Sequence, residues 1–398
     1  MAVLDSVLNL FSFSKSAYTT LTPGSSQIHP LASKFNVASE DIKAKIVETS
    51  QNSKENAHRI IKEAKAGVSF ENGESRMLPE TEVDGWYIEE SSASQESFVV
   101  VKLGQKSLIS GFGIDTSYLV NGFNSTVTIL AATREGPTAE SASFQNDWVE
   151  LVAGHQLQSD DKQFLKLNRF TDTPFTHLKL IIAPHGAIAR FKVFGDFVVP
   201  PYETLNHDNL DLASVFSGSI VVDCSNGKFS SPNNLLLAGR GQVMGDGWET
   251  ARSRVPGNVE FATIKLGHPG RIETLEIDTN QYKGNFPPKV RVLGTNSKNN
   301  SPNLDTDQWD EVLHLSSCVA HKNHVFKSDI TDRVYTHLRL QLYPDGGVKR
   351  FRAFGVAEKP QVSQEPTSHK STGAVRHPKT VRGTPYPKLS TTKVPAGH

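Results

Sequence analysis

Residues 244–254 read M-G-D-G-W-E-T-A-R-S-R. Two carboxylates (Asp246, Glu249), two guanidinium groups (Arg252, Arg254) and the indole of Trp248 share this short stretch. Carboxylates move protons. Guanidinium groups hold carboxylates by two-pronged hydrogen bonds. No helical or strand period accommodates the mixture, and Gly245 and Gly247 bracket Asp246, which favours a tight turn. The expectation is a loop at the mouth of a site for a small polar anion. In an extended segment Arg252 and Arg254 face one side. They repel there unless a protein or ligand carboxylate lies between them. Asp246 between glycines also suits a plain turn, and Trp248 suits core packing.

Other candidates lie further on. Asp278 and Thr279 end a strand and precede Q-Y-K-G-N-F at 281–286, which contains Asn285. Acid, hydroxyl and amide groups at a strand end suit an amide or ureido group, although a local Asx turn explains Asp278 equally well. His337 opens H-L-R-L-Q-L as a general acid or base, or as a backbone-satisfied histidine. Pro344-Asp345-Gly346-Gly347 is a turn that presents Asp345, and Arg350 and Arg352 share a face of the strand after it. No HExxH, Cys/His cluster, G-x-S-x-G elbow or Walker loop occurs. A metal held by Asp and His from separate loops leaves no fixed spacing, so the metal question stays open.

The elements around these residues read as short strands. Segments 98–103, 109–116, 126–131, 148–153, 177–182 and 188–194 alternate or are β-branched, with Gly, Pro, Asn and Asp turns between them. No strand–helix–strand rhythm appears. The expected fold class is all-β, an antiparallel sandwich or jelly roll. The pattern then returns. Lys102-Leu103-Gly104 recurs as Lys265-Leu266-Gly267, and Ile114-Asp115-Thr116 as Ile277-Asp278-Thr279. Thr176-His177-Leu178 recurs as Thr336-His337-Leu338, and P-H-G-A-I-A-R-F at 184–191 as P-D-G-G-V-K-R-F at 344–351. Asp84-Gly85-Trp86 foreshadows Asp246-Gly247-Trp248. A nearly constant shift of about 160 residues indicates two tandem sandwiches. The expected division is an N-terminal extension (1–43), a first repeat (44–200), a second repeat (201–357) and a disordered basic tail (358–398).

Composition narrows the function. The 42 basic and 42 acidic residues cancel, and the pI near 7.3 gives no electrostatic case for nucleic acid or an anionic membrane. No apolar run has membrane-spanning length. Cys224 and Cys318 have neither CxxC nor disulfide-framework spacing, so free thiols in a reducing compartment are expected. The start lacks a basic signal-peptide region and the end is not S-K-L. The cytoplasm is the default, with a peroxisome or other organelle not ruled out. Two-sheet units with exposed faces are compatible with a homo-oligomer.

M-G-D-G-W-E-T-A-R-S-R-x-P-G, then K-L-G, I-D-T, K-G-N-F-P, T-H-L and P-D-G-G-V-K-R, resembles the second repeat of the allantoicase family. The segment N-N-L-L-L-x-G-R-G from Asn233 resembles the stretch before it, and the resemblance covers about 44–357. It implies tandem jelly-roll, galactose-binding-like β-sandwiches. It also implies hydrolysis of allantoate to ureidoglycolate and urea in purine degradation, with no organic cofactor. Under it, Asp246, Glu249 and His337 are the catalytic candidates. Arg252, Arg254, Asp278, Thr279, Asn285, Asp345 and Arg350 are the candidates for binding allantoate. The first repeat departs from the pattern. It has Tyr87-Ile88-Glu89-Glu90 where E-T-x-R belongs, and His185 in the turn that holds Asp345 in the second repeat. It is therefore expected to have kept its fold and lost its own site. That leaves one site per chain, or none if the site needs both repeats. A non-catalytic sandwich that binds a ureide or sugar is the alternative.

Overall fold

The computed structural model describes residues 17–21, 31, 33–50, 56–71, 74–77, 84–88, 97–119, 125–134, 147–169, 172–207 and 209–359. Both repeats belong to one compact unit. The basic tail expected from 358 lies outside the described residues apart from its first two positions, and so do Glu89 and Glu90.

The first repeat contains β1 (Tyr18–Leu21), β2 (Phe35–Asn36), β3 (Lys45–Thr49), β4 (Val68–Glu71), β5 (Glu74–Met77), β6 (Trp86–Ile88) and β7 (Ser97–Asp115). It continues with β8 (Thr126–Ala132), β9 (Val149–Gln156), β10 (Lys162–Leu167), β11 (Phe175–Ala183), β12 (Gly186–Ile188) and β13 (Arg190–Phe197). The second contains β14 (Leu210–Asp211), β15 (Ile220–Cys224), β16 (Trp248–Glu249), β17 (Glu260–Asp278) and β18 (Lys289–Thr295). It ends with β19 (Asp310–Ser317), β20 (Asn323–Lys327), β21 (Tyr335–Tyr343), β22 (Gly347–Val348) and β23 (Arg350–Ala357). Helical structure among the described residues is limited to short 3-10 turns, including Glu40–Ile42, Pro232–Leu236 and Met244–Asp246.

The two strands expected at 98–103 and 109–116 are halves of one 19-residue strand, β7, and β17 has the same length. The first half of β7 pairs with β3 and β11, and its second half with β10 and β13. In the second repeat β15 and β21 flank the first half of β17, and β20 and β23 flank the rest. Each long strand thus crosses from one sheet of its sandwich to the other. The crossing falls at the repeated Lys-Leu-Gly. A Cβ on Gly104 would stand 1.8 Å from Ile42 O, and one on Gly267 1.8 Å from Ser217 O. Only glycine fits there, which accounts for that motif. The inner faces are apolar: Val99, Val101, Phe112, Leu178, Leu180 and Phe191 in one sandwich, and Ile264, Leu275, Val292, Leu338, Leu340 and Phe351 in the other, are fully buried.

The N-terminal boundary differs from the expectation of an extension up to 43. β1 pairs with β10, β2 pairs with β13, and Phe35, Val37, Ala38 and Ile42 lie in the core. These residues lack the six-residue alternation that marks a strand, so the sequence pattern does not reveal them. The repeats also meet directly. Asn233 Nδ2 donates to Ser33 O at 2.8 Å, and the Lys43 ammonium sits 4.7 Å from the Phe216 ring centroid.

Candidate active site

β16 pairs with β22 as Trp248 with Val348 and Glu249 with Gly347. The first repeat builds the same ladder from β6 and β12, with Trp86 opposite Ile188. Both indoles are fully buried. Trp248 Nε1 donates to Asn226 O at 2.7 Å. A Cβ on Gly85 would meet Ile188 O at 2.5 Å, and one on Gly247 would meet Val348 O at 2.8 Å. Gly-Trp therefore recurs in both copies because the ladder needs a bare glycine beside a core indole.

The predicted residues divide along the second-repeat ladder. At one end, Arg350 Nη1 donates to Asp246 O at 2.6 Å and to Lys349 O at 2.7 Å, and Nε makes a long 3.4 Å bond to Ala238 O. Asp246 Oδ2 accepts from the backbone N–H groups of Gln242 (2.6 Å) and Val243 (2.8 Å), with Lys349 Nζ 3.5 Å away. Lys349 is fully buried, donates to Val243 O, and is lowered by burial. Arg350 is only 3% exposed. Burial lowers it to about 10, helped by Arg352 and opposed by Asp246, Asp41 and Asp278.

The other end holds Glu249, Asn285, Asp345, Arg252 and Arg254. Asn285 Nδ2 donates to Glu249 Oε1 at 2.7 Å, and Gly347 N donates to Asn285 O at 2.7 Å. Asp345 Oδ2 accepts from Ser253 N at 2.7 Å. Arg252 and Arg254 are exposed, and neither makes a hydrogen bond or ion pair within the described residues. Tyr282 packs beneath the ladder and donates to Met244 O at 2.8 Å; burial, then Glu249, raises its phenol.

Asp278 is buried and takes a two-pronged pair from Arg240, Nε to Oδ2 at 2.9 Å and Nη2 to Oδ1 at 3.2 Å. Thr279 is fully buried, donates to Val319 O (2.7 Å) and Lys322 O (3.0 Å), and accepts from Lys322 N. Its first-repeat counterpart Thr116 does the same with Gln158 and Asp161. A hydroxyl tied to backbone in both copies fixes a loop rather than facing a ligand. His337 is also removed from the group. It lies six residues before Tyr343 on β21, roughly 20 Å along the strand at about 3.3 Å per residue. Its Nδ1 lies 2.9 Å from Thr336 Oγ1 and its Nε2 3.3 Å from Asn300 O. His177 contacts Thr176 identically. Burial lowers the His337 imidazole, as expected of a core histidine.

A crevice of about 330 Å³ lies between the repeats, at the lower end of the ~300–1,000 Å³ range of small-molecule sites. Asp246, Arg350, Asn234 and Gly245 line one side; Asp41, Glu63, Lys192 and Asn36 line the other. A neighbouring cavity of about 210 Å³ shares Asp41, Glu63, Gly245 and Asp246 with it. Glu63 is satisfied by Asn36 Nδ2 (2.5 Å) and Lys192 Nζ (3.0 Å). No motif in the sequence marks this first-repeat wall, because the repeat pattern singles out only residues shared by both copies. A larger open groove of about 590 Å³ runs past Cys224, Lys228 and Phe229. Burial raises the Cys224 and Cys318 thiols, so neither is an activated nucleophile. Among the described residues no group of three or more His, Cys, Asp and Glu is arranged to hold a metal, and no helix is long and apolar enough to cross a membrane.

Fold and crevice define a tandem β-sandwich protein with a buried arginine facing carboxylates across its repeat boundary. The allantoicase repeat pattern matches residues 35–198 and 210–358, and the chain belongs to the allantoicase family. It is 35% identical over 277 residues to allantoicase of Neurospora crassa, spanning 68% of this chain and 77% of that one. It is 30% identical over 338 residues to a probable allantoicase of Pseudomonas fluorescens, spanning 83% and 98%. The crystal structure of Saccharomyces cerevisiae allantoicase superposes with a TM-score of 0.62 at 31% identity, covering 81% of this chain and 92% of that one.

Proposed function

We propose that the chain hydrolyses allantoate to ureidoglycolate and urea, and that it does so in the inter-repeat crevice. Family membership supports the reaction. One observation carries the site. Arg350 is buried and lines the crevice, yet its Nη2 makes no hydrogen bond within the described residues. Its first-repeat equivalent Arg190 is saturated: Nε donates to Ala64 O, Nη1 to Asp84 O and Ala189 O, and Nη2 to Lys65 O and Asp84 Oδ2. Arg350 therefore keeps the donors that a substrate carboxylate needs.

The surroundings match the rest of the molecule. Allantoate carries one carboxylate and two ureido groups on one carbon. The uncommitted Nη2 of Arg350 serves the anion, and carboxylate oxygens accept from ureido N–H groups. Asp246 holds one oxygen fixed by two backbone N–H groups and keeps the other for substrate or water. It is the base that takes a proton from the attacking water. Glu249 and Asn285 position the ladder that follows the Asp246 turn, and Asp278 pairs with Arg240. Arg252 and Arg254, exposed and uncommitted, draw the anionic substrate in from solution. Asp345 holds Ser253 and so sets the direction of the arginine segment. The two free thiols, Cys318 buried and Cys224 half-buried, support a reducing, cytoplasmic setting.

Urea release by the purified chain tests the reading. Arg350→Gln is expected to lower kcat/KM by about 100-fold or more, with Arg350→Lys recovering only part, since a point charge does not replace the fork. Full activity in Arg350→Gln together with its loss in Arg252→Gln would place the site at the other end of the ladder.

A further inference from the structure

The first-repeat wall of the crevice carries a carboxylate that no hydrogen bond or ion pair engages within the described residues. Asp41 sits in the turn Glu40–Ile42, where its N–H donates to Ser39 Oγ at 3.2 Å and leaves the side chain to project. It lines both neighbouring cavities. Arg350 and Asp41 act on each other electrostatically but form no ion pair, so open space separates the two charges. The equivalent turn of the second repeat, capped by Ser214, has Phe216 at this position, under the Lys43 ammonium. The acid is thus a feature of the first repeat alone.

We infer that Asp41, contributed by the first repeat, protonates the departing urea nitrogen of a substrate anchored on Arg350. The inference rests on the crevice being the active site. Asp41 gives its proton to the ureido nitrogen as the C–N bond breaks and urea leaves. The nitrogen of the remaining ureido group shares its lone pair with the central carbon. Water adds to that carbon and passes a proton to Asp246, and exchange with solvent returns the proton to Asp41. One water is consumed, and both carboxyl groups end as they began.

The charges facing Asp41 favour this role. Glu40 lies in its own turn; Glu63, bonded to Lys192, lies on the same wall; Asp246 and Arg350 face it from the second repeat. Burial raises the Asp41 carboxyl, followed by Glu63, Asp246 and Glu40, and Arg350 alone opposes them. A substrate carboxylate on Arg350 neutralises that one opposing charge. Binding the anion therefore strengthens the hold of Asp41 on the proton it must deliver. The degenerate repeat serves the reaction as the acidic wall of its partner's site.

The test is the pH dependence of urea release in the full chain. Wild type should lose kcat on the alkaline side as Asp41 ionises. Asp41→Asn should lower kcat by about 100-fold or more, leave KM unchanged or lower, and abolish that alkaline limb. Asp41→Glu should recover part of the rate and the limb. Wild-type kcat in Asp41→Asn, or a reduced kcat with the alkaline limb intact, overturns the assignment. If Arg350→Gln is inactive in the same series, the crevice stands and only Asp41 falls. If Arg350→Gln is also unchanged, the crevice falls with it.

Discussion

Arg350 donates to the backbone oxygen of Asp246 at 2.6 Å, and not to its carboxylate. In the first repeat the same arginine does both: Arg190 reaches Asp84 O at 3.1 Å and Asp84 Oδ2 at 2.6 Å. Two backbone N–H groups hold the Asp246 carboxylate, and one neighbour also differs. Ala189 precedes Arg190, whereas Lys349 precedes Arg350 and approaches the Asp246 carboxylate to 3.5 Å. The lysine lies beside the charge partner, and Arg350 Nη2 is left uncommitted at the crevice.

Removing that ammonium should engage this Nη2. Lys349→Met keeps most of the stem that packs against Gly241 and deletes the charge. Asp246 should then capture Arg350 as Asp84 captures Arg190. Because uniform binding is lost, KM for allantoate should rise about tenfold or more with a smaller change in kcat. Steady-state kinetics checks this, and an unchanged KM would show that Lys349 does not control Arg350.

The strand crossover makes a stability prediction. A methyl group on Gly267 would stand 1.8 Å from Ser217 O, a backbone atom that cannot swing aside. Gly267→Ala should cost about 3 kcal/mol, in the upper part of the usual overpacking range. For a sandwich of this size that is a fall in Tm of roughly 10 °C. Thermal unfolding at neutral pH checks it, and Gly104→Ala should behave alike in the first repeat.

Much of this fold could be read in the sequence because alternation and turn residues are local signals. The repeat at Lys-Leu-Gly and Ile-Asp-Thr is equally legible, since each motif meets the same backbone in both copies. The sequence reads as two strands where β7 is continuous, because Gly104-Gln105-Lys106 interrupts the apolar run. The crevice was not legible. Asp41 and Arg350 come from different repeats, and nothing periodic distinguishes Ser39-Glu40-Asp41 from Ser214-Val215-Phe216. Asp246 and Arg350 stand out by residue type, but their backbone contact and the placement of Lys349 appear only when β23 folds beside the loop at 237–246. Thr279 and His337 contact backbone, and a side chain that does so carries the same letters as one that meets a ligand.

His337 gives a clean contrast. Its ring is 1% exposed and both nitrogens lie near protein partners, far along β21 from the crevice. His337→Gln should lower stability by about 1–2 kcal/mol, the usual cost of a disturbed buried hydrogen bond. Urea release per folded molecule should stay within about twofold of wild type. Kinetics on protein verified as folded checks this, and a large loss of kcat would return the histidine to the reaction.

Asp211 gives the fold a pH response. Its carboxylate accepts from Ala213 N and Ala353 N, both at 3.1 Å, and lies 3.4 Å from Arg352 Nε. Burial outweighs these partners and raises it from 3.8 to about 6. A carboxyl raised in the folded state binds its proton more tightly there than when unfolded. Its stabilising contribution is therefore complete below about 3.8 and is lost as pH rises through about 6. The full span is on the order of 3 kcal/mol. Asp211→Asn keeps an oxygen at Oδ1, which accepts from both backbone N–H groups, and cannot ionise. The Tm of the variant relative to wild type should climb by several degrees between about pH 4 and pH 6 and then level off. Thermal melts across that window check the prediction. A difference that stays constant with pH would show that Asp211 ionises as readily in the folded chain as in the unfolded one.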